Sequence, residues 1–78
     1  MKNSHPTYCS PLTNLKEVAQ IMVENNSSTI TVVENLIDLK PIGIVTSLDV
    51  LAIMARGLNP SEIRAGECMS ENLDEKSQ

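Results

Sequence analysis

Aromatic residues are almost absent from this sequence: Tyr8 stands alone, with no tryptophan or phenylalanine. The core must therefore be built from Ile, Leu, Val, Met and Ala, and stacking surfaces for nucleic-acid bases are nearly missing. Basic residues are also few, because 6 Lys and Arg stand against 10 Asp and Glu, for a net charge of -4. A chain with this charge is not expected to bind a phosphate backbone, so we predict no nucleic-acid partner.

Long apolar runs and a secretory signal are missing too. No run approaches the ~20 residues of a membrane-spanning helix, so we expect no direct membrane insertion. Two distant cysteines, Cys9 and Cys68, accompany four methionines. This pattern is typical of a reducing compartment and predicts a cytoplasmic protein whose cysteines serve as small apolar residues. Together with the single histidine, His5, they match no zinc spacing, so no metal site is predicted.

The 78 residues suffice for one small domain. A domain of this size buries only about 60% of its unfolded surface, so a monomer would be marginally stable. We therefore expect a partner subunit.

The first half of the chain alternates between strand-like and helical patterns. Residues 1–6 are expected to be flexible, and residues 7–9 are β-prone. Apolar residues then recur at helical spacing from Leu15 to Val23, with Thr13 or Asn14 as N-cap and an end near residues 25–26. Residues 28–34 are rich in β-branched side chains and predict a strand.

The second half predicts a strand, a helix and a tail. Residues 42–45 form the strand, after a connection over 35–40 in which we expect some of the apolar side chains, Leu36, Ile37 and Leu39, to pack. The helix runs from Leu48 to Arg56, with Ser47 as N-cap and Gly57 as its stop. Six consecutive apolar residues, 50–55, make it apolar nearly all round, which predicts contact with another copy.

The remaining residues predict little further structure. Residues 58–70 read as a linker or lead-in segment, with one more helical turn after Pro60. The acidic tail, 71–78, is expected to be disordered. The order is β-α-β-β-α, an α/β fold with a three-stranded sheet and two helices.

The junction between the last strand and the second helix holds the best candidate site. Thr46 and Asp49 place a hydroxyl and a carboxylate where the free N–H groups of a first helical turn favour an anion or a sugar hydroxyl. Alternatively, Ser47 or Asp49 caps and charges the helix, and the two roles are compatible. Acidic pairs such as Glu67 and Glu71 lack a rigid setting and a placed nucleophile, so we do not expect an enzyme.

Three segments, residues 18–22, 30–34 and 43–51, together resemble a CBS motif, the repeat named after cystathionine beta-synthase, and the resemblance covers residues 7–57. It implies a half-module that pairs into a Bateman module, here as a homodimer through the apolar helices. Members bind adenosine-containing ligands such as AMP, ADP, ATP or S-adenosylmethionine, and many regulate an enzyme, channel or transporter. The resemblance thus implies a regulatory ligand-sensing module.

The resemblance also implies roles for particular residues. Thr46 matches a hydroxyl that contacts phosphate, and Asp49 matches the carboxylate that holds ribose hydroxyls. Ser10 matches a hydroxyl position after the first strand. The strand whose backbone borders the adenine is matched by Thr29, Ile30 and Thr31.

Two departures from the family pattern bear on the ligand. Thr31 stands where many relatives have proline, and Leu48 stands where a basic residue often precedes the aspartate. They favour a ligand with few phosphates or, as the alternative, a structural dimerisation or docking domain without a nucleotide.

A third departure concerns residues 63–70, which resemble the lead-in segment that normally precedes a CBS motif. The chain is then either a fragment of a longer tandem protein or a lone motif whose tail crosses to its partner. The sequence leaves both open.

Overall fold

The computed structural model describes residues 7–71. The predictions of a flexible segment at 1–6 and of a disordered tail at 71–78 lie, apart from Glu71, outside the described residues. The described elements are β1 (Tyr8–Cys9), α1 (Leu15–Glu24), β2 (Thr29–Val33), β3 (Pro41–Thr46), α2 (Ser47–Ala55), a 3-10 turn (Pro60–Glu62) and α3 (Ala65–Cys68). The predicted β-α-β-β-α order is confirmed, and α3 is an additional short helix.

The three strands form one mixed sheet in the order β1-β2-β3. Strand β1 runs parallel to β2, with Tyr8 opposite Thr31, and α1 makes the connection between them. Strand β3 runs antiparallel to β2, with Thr46 opposite Thr29. A register irregularity between Val32 and Val33 interrupts the alternation, and both side chains are buried.

The two faces of the sheet differ in what covers them. The covered face carries buried residues that pack against α1 and α2, namely Cys9, Ile30, Val32, Gly43 and Val45. The opposite face, here called the open face, carries the alternate residues Tyr8, Thr29, Thr31, Ile44 and Thr46. Both helices complete the core through their apolar stripes, from Leu15 and Val18 on α1 and from Val50 and Ile53 on α2.

The predicted helix ends are close to the observed ones. Asn14 is the N-cap of α1, because its Oδ1 accepts a hydrogen bond from the Glu17 N–H at 2.9 Å. The α2 helix begins and ends one residue earlier than predicted, and Gly57 follows its C-cap with a φ of 81°. Such a left-handed conformation suits glycine and ends the helix. No helix within residues 7–71 has the length and apolarity to cross a membrane.

The expectation that apolar side chains in the β2–β3 connection pack is wrong for Leu36 and Ile37, whereas Leu39 is covered over more than half of its surface. Ile37 is 91% exposed and Leu36 is 61% exposed. The turn closes locally, because Asn35 Oδ1 accepts hydrogen bonds from the N–H groups of Ile37 and Asp38 at 2.9 and 2.8 Å. A tight turn held by its own polar side chain leaves the neighbouring apolar side chains in solvent.

The C-terminal segment, residues 60–70, packs on the same chain. The Leu15 N–H donates to Ile63 O at 2.9 Å, and the Ala65 N–H donates to Thr13 O at 2.7 Å. Farther on, Ile44 and Ser70 exchange two backbone hydrogen bonds of 3.0 and 2.8 Å along the free edge of β3. The one turn predicted after Pro60 is present as the 3-10 turn. The segment therefore adds a short extension to the sheet.

Candidate functional site

The corner between β3 and α2 is built by a reciprocal capping box. Thr46 ends the strand with extended backbone (φ -111°, ψ 165°) and is the N-cap of α2. Its Oγ1 accepts from the Asp49 N–H at 3.3 Å, while Asp49 Oδ2 accepts from the Thr46 N–H at 2.8 Å. The prediction of Ser47 as N-cap is wrong: Ser47 is the first helical residue, and its N–H donates to Ser28 O at 2.8 Å.

The Asp49 carboxylate uses one oxygen for this box. Oδ2 also accepts a hydrogen bond from Thr46 Oγ1 at 3.1 Å. Within residues 7–71, no hydrogen bond to Oδ1 is found, and the side chain is only half-buried. A carboxylate oxygen has two lone-pair directions, so Oδ1 is chemically able to accept hydroxyl groups while Oδ2 holds the helix cap.

The β2 residues divide between the two faces. Thr29 lies directly opposite Thr46, and Thr31 lies opposite Ile44 on the same open face. Thr29 is exposed and Thr31 half-buried, so their hydroxyls extend the polar surface that begins at Thr46. Ile30 points to the core and is 2% exposed. Its side chain supports the fold, so only its backbone remains for the adenine contact that the resemblance implies.

Ser10 lies at the opposite end of the sheet from Thr46. The preceding residue, Cys9, is opposite Val32, whereas Thr46 is opposite Thr29. Three residues of β2 amount to about 10 Å along the strand. The Ser10 hydroxyl serves a local turn, accepting from the Leu12 N–H at 3.1 Å and lying 3.3 Å from Thr13 Oγ1. Within one chain, Ser10 is therefore not brought together with Thr46 and Asp49.

The C-terminal segment adds residues near the corner that the sequence interpretation missed. Burial raises the pKa of Cys68, and the negative charges of Asp49 and Glu67 raise it further. Met69 packs over Gly43, where an added Cβ would lie 2.5 Å from the methionine Sδ. The spacing of Arg64 and Glu67 in the sequence could have indicated the start of α3. In the structure the Arg64 N–H donates to Glu67 Oε2 at 3.2 Å, as at a helix start.

A groove lies between α1 and α2 and reaches Ser28, just before β2, and Ser47, just after β3. It has a volume of about 680 Å³ and is lined mainly by apolar side chains. On α2, Leu51 and Met54 are 55% and 54% exposed, and Val23 on α1 is 80% exposed. The apolar surface predicted for the second helix is therefore present and uncovered in the single chain. A metal site is not indicated, because no three His, Cys, Asp or Glu side chains among residues 7–71 gather as ligands.

Comparison with solved structures places this architecture among CBS domain proteins. A cystathionine beta-synthase domain protein fused to a Zn-ribbon-like domain matches at 28% identity with a TM-score of 0.78, over 88% of this chain and 96% of that chain. Hypoxic Response Protein I, whose structure holds two coordinated zinc ions, matches at 28% identity and a TM-score of 0.72, over 86% of this chain and 55% of its own.

A third structure shares the fold at lower identity. It is a CBS domain protein from Pyrobaculum aerophilum complexed with AMP, at 20% identity and a TM-score of 0.70, over 91% of this chain and 53% of that chain. This chain thus spans about half the length of two of the three structures. No curated protein sequence matches it significantly. The CBS domain family profile matches residues 1–56, which is most of the chain. With the strand order, the crossover helix and the capped corner all in place, the chain belongs to the CBS domain family.

Proposed function

We propose that this chain is a regulatory module in the cytoplasm that binds an adenosine-containing ligand at the corner formed by Thr46 and Asp49. The observation that carries the proposal is the free Oδ1 of Asp49, held in position by the capping box on Oδ2. Ribose hydroxyls would donate to Oδ1, and phosphate would approach the first turn of α2. AMP binding by the Pyrobaculum aerophilum protein supports this class of ligand.

A ligand with few phosphates fits this corner best. Leu48 occupies the first turn of α2 with 72% of its side chain exposed, where many family members carry a basic residue. No cation therefore stands next to Asp49 in sequence to offset a triphosphate. We expect affinity to follow the order AMP, ADP, ATP, with S-adenosylmethionine as the competing adenosine ligand.

The ligand cleft requires a second CBS motif. We propose that a second copy of this chain supplies it and covers the groove between α1 and α2, where Val23, Leu51 and Met54 are exposed. Burying apolar surface stabilises by about 25 cal/mol per Å², which would support a domain of marginal size. The module would then transmit ligand binding to an enzyme, channel or transporter, and catalysis by the chain itself is not part of the proposal.

The ligand is tested by thermal unfolding and calorimetric titration with AMP, ADP, ATP and S-adenosylmethionine. A ligand at 100 times its Kd stabilises the folded state by about 2.7 kcal/mol, so the binding nucleotide raises Tm. Asp49→Asn should reduce the rise in Tm, because it keeps an acceptor for the Thr46 N–H but loses the charge. Asp38→Asn makes the same change in the exposed β2–β3 turn and should leave the response intact.

The same experiment can also contradict the nucleotide proposal. If none of the four compounds raises Tm at millimolar concentration, the nucleotide proposal is wrong. Leu48→Arg sharpens the result, because a restored cation should improve ATP binding more than AMP binding. No improvement for either nucleotide would contradict phosphate contact at this corner.

The homodimer is tested by sedimentation at several concentrations. Leu51→Glu should dissociate the dimer, because it would bury a carboxylate in an apolar interface. Ile37→Glu is the matched control, since it introduces the same charge at a 91% exposed position in the β2–β3 turn. A wild-type chain that stays monomeric throughout would contradict the dimer.

A structural docking role is the second candidate. It is favoured by the capping box itself, because Thr46 and Asp49 already satisfy each other without a ligand. This function predicts a concentration-dependent dimer whose Tm responds to no nucleotide. The titration therefore separates the two candidates.

A further inference from the structure

A second groove runs beside the free edge of β1. Its volume is about 410 Å³, and it is lined by β1, by α1 and by the turn between β2 and β3. This surface, called here the β1 groove, includes Tyr8, Leu36 and four residues of α1 at helical spacing: Glu17, Gln20, Ile21 and Glu24. It shares no lining residue with the groove between α1 and α2, so the proposed dimer leaves it open.

The backbone along this edge is able to pair with a further strand. β1 is an outer strand, since the sheet order is β1-β2-β3. Tyr8 lies opposite Thr31, and the Thr31 N–H donates to Thr7 O at 3.0 Å. In a parallel ladder a residue bonds to the two neighbours of the residue opposite, so the N–H and C=O of Tyr8 face away from β2. An extended segment laid along β1 would find one donor and one acceptor there.

Apolar side chains contribute much of the groove surface. Ile21 is half-buried and packs with part of its side chain against the core. Tyr8 is also half-buried, and Leu36, at the turn, is 61% exposed. Single exposed apolar side chains are ordinary, whereas these three line one depression. A segment placed in the groove would bury them together.

The charged side chains of the groove have one sign. Glu17 and Glu24 are both exposed and lie about 10 Å apart along α1. Among residues 7–71, no Lys or Arg lines the groove. Cationic side chains on an added segment would be attracted by the two carboxylates, and an acidic segment would be repelled.

We propose that the β1 groove docks an extended basic segment of the protein that this module regulates, as a fourth strand beside β1. The backbone of the segment bonds to Tyr8, and its Lys or Arg side chains pair with Glu17 and Glu24. Alternate side chains of a strand point the same way and are about 7 Å apart, so cations two or four residues apart reach both carboxylates. This docking rests on the proposed regulatory function only in assigning the segment to a regulated partner.

The test titrates the full chain with acetyl-Lys-Val-Lys-Val-Lys-amide and follows tyrosine fluorescence. Tyr8 is the only aromatic residue, so the signal comes from the groove itself. We expect saturable binding that weakens about threefold in high salt, which screens exposed charges. The same peptide with all backbone amides N-methylated should lose most of its affinity, because it cannot donate to the strand edge. No nucleotide is present, so this result is separate from that of the nucleotide titration.

The variants test the charge and the place of binding. Glu17→Gln combined with Glu24→Gln should weaken binding about fivefold, because two exposed ion pairs are lost. Glu62→Gln is the matched control, since Glu62 is an exposed glutamate in the 3-10 turn and does not line the groove. It should bind the peptide as the wild type does. Leu36→Ser should also weaken binding, through lost apolar contact.

Four results would overturn the proposal. The first is a tyrosine signal that does not change with the peptide at millimolar concentration. The second is an equal response to spermidine, which carries the same charge without a peptide backbone. The others are wild-type affinity in the double variant and undiminished affinity of the N-methylated peptide.

Discussion

The two faces of the three-stranded sheet differ in burial although the same strands form both. In β2, Ile30 and Val32 on the covered face are 2% and 0% exposed, whereas Thr29 and Thr31 between them are exposed or half-buried on the open face. Alternation along a strand sends successive side chains to opposite faces, so a single segment supplies both a core and a hydroxyl-bearing surface.

The difference between the two faces indicates which substitutions should affect stability most. The covered face is closed by α1 and α2 and accounts for most of the large buried side chains. The open face has no such layer among residues 7–71 and leads directly to Thr46 at the helix corner. Substitutions on the first face should affect unfolding, and those on the second should affect it little.

The largest effect is expected on the covered face, for Ile30→Ala. Removing this buried side chain should lower the free energy of unfolding by about 2–5 kcal/mol, through lost burial and a cavity. Thr31→Ala, one residue along on the open face, should cost well under that amount. Urea unfolding measures the free energy of unfolding of both variants. Ile30→Val removes only one methyl group and should lower that free energy by about 0.5–1.5 kcal/mol. Equal losses for Ile30→Ala and Thr31→Ala would contradict the division of the sheet.

The next effect concerns the place where the C-terminal segment meets the covered face. Gly43→Ala would put a Cβ 2.5 Å from Met69 Sδ and 2.8 Å from its Cγ. Overpacking of this kind costs about 1–3 kcal/mol. Met69→Ala provides space, so the double variant should lose less than the two single losses added together. Simple additivity in urea unfolding would mean that the two side chains do not meet.

A pH effect comes from Cys9, whose pKa burial raises from 9.0 to about 11. The folded state favours the protonated thiol, so this stability is complete below pH 9 and is lost as the pH rises towards 11. Between pH 8 and 10.5 the chain should lose roughly 2 kcal/mol more than Cys9→Ala does. Unfolding at both pH values checks this. Parallel losses in the two proteins would show that Cys9 is not buried on the covered face.

The smallest effect is expected at the corner itself. Thr46→Val removes the hydroxyl of the capping box but keeps the shape, and should cost about 0.5–2 kcal/mol. Thr29→Val, directly across the sheet, serves as the control because Thr29 caps no helix. Thermal unfolding of the two variants distinguishes the roles. An equal change in Tm would mean that the Thr46 hydroxyl contributes nothing to stability.

Local patterns predicted most of the architecture. The run of β-branched residues at 28–34 is long enough to indicate a strand, and the apolar residues from Leu15 recur at helical spacing for long enough to indicate a helix. Both elements were therefore predicted. Ser47 was mistaken for the N-cap because single hydroxyls are common near helix starts, and only the reciprocal pairing of Thr46 with Asp49 distinguishes the true cap. The packing predicted for apolar side chains in the β2–β3 turn was not found, because Asn35 closes the turn through local hydrogen bonds. The number of apolar residues in the turn does not reveal this.

The candidate site was predictable in part for the same reason. Thr46 and Asp49 are three residues apart, so their contact depends on local geometry alone. The distance of Ser10 from them depends on the parallel register of β1 on β2, and the approach of Met69 to Gly43 depends on the packing of residues 60–70. Neither relation is encoded in a short window of sequence.

The sequence by itself determined the order of elements, the apolar character of the second helix and the corner at which Thr46 and Asp49 lie, because propensity, periodicity and residue spacing act over a few residues. The tertiary structure alone decided which strand face is covered, which end of the sheet holds Ser10, and that Ile63, Cys68 and Met69 of the C-terminal segment pack against the core. These relations arise from strand register and from hydrogen bonds between segments far apart in the chain, such as the one from Ala65 to Thr13. These hydrogen bonds form together with the other contacts of the core, so no short segment of sequence predicts them.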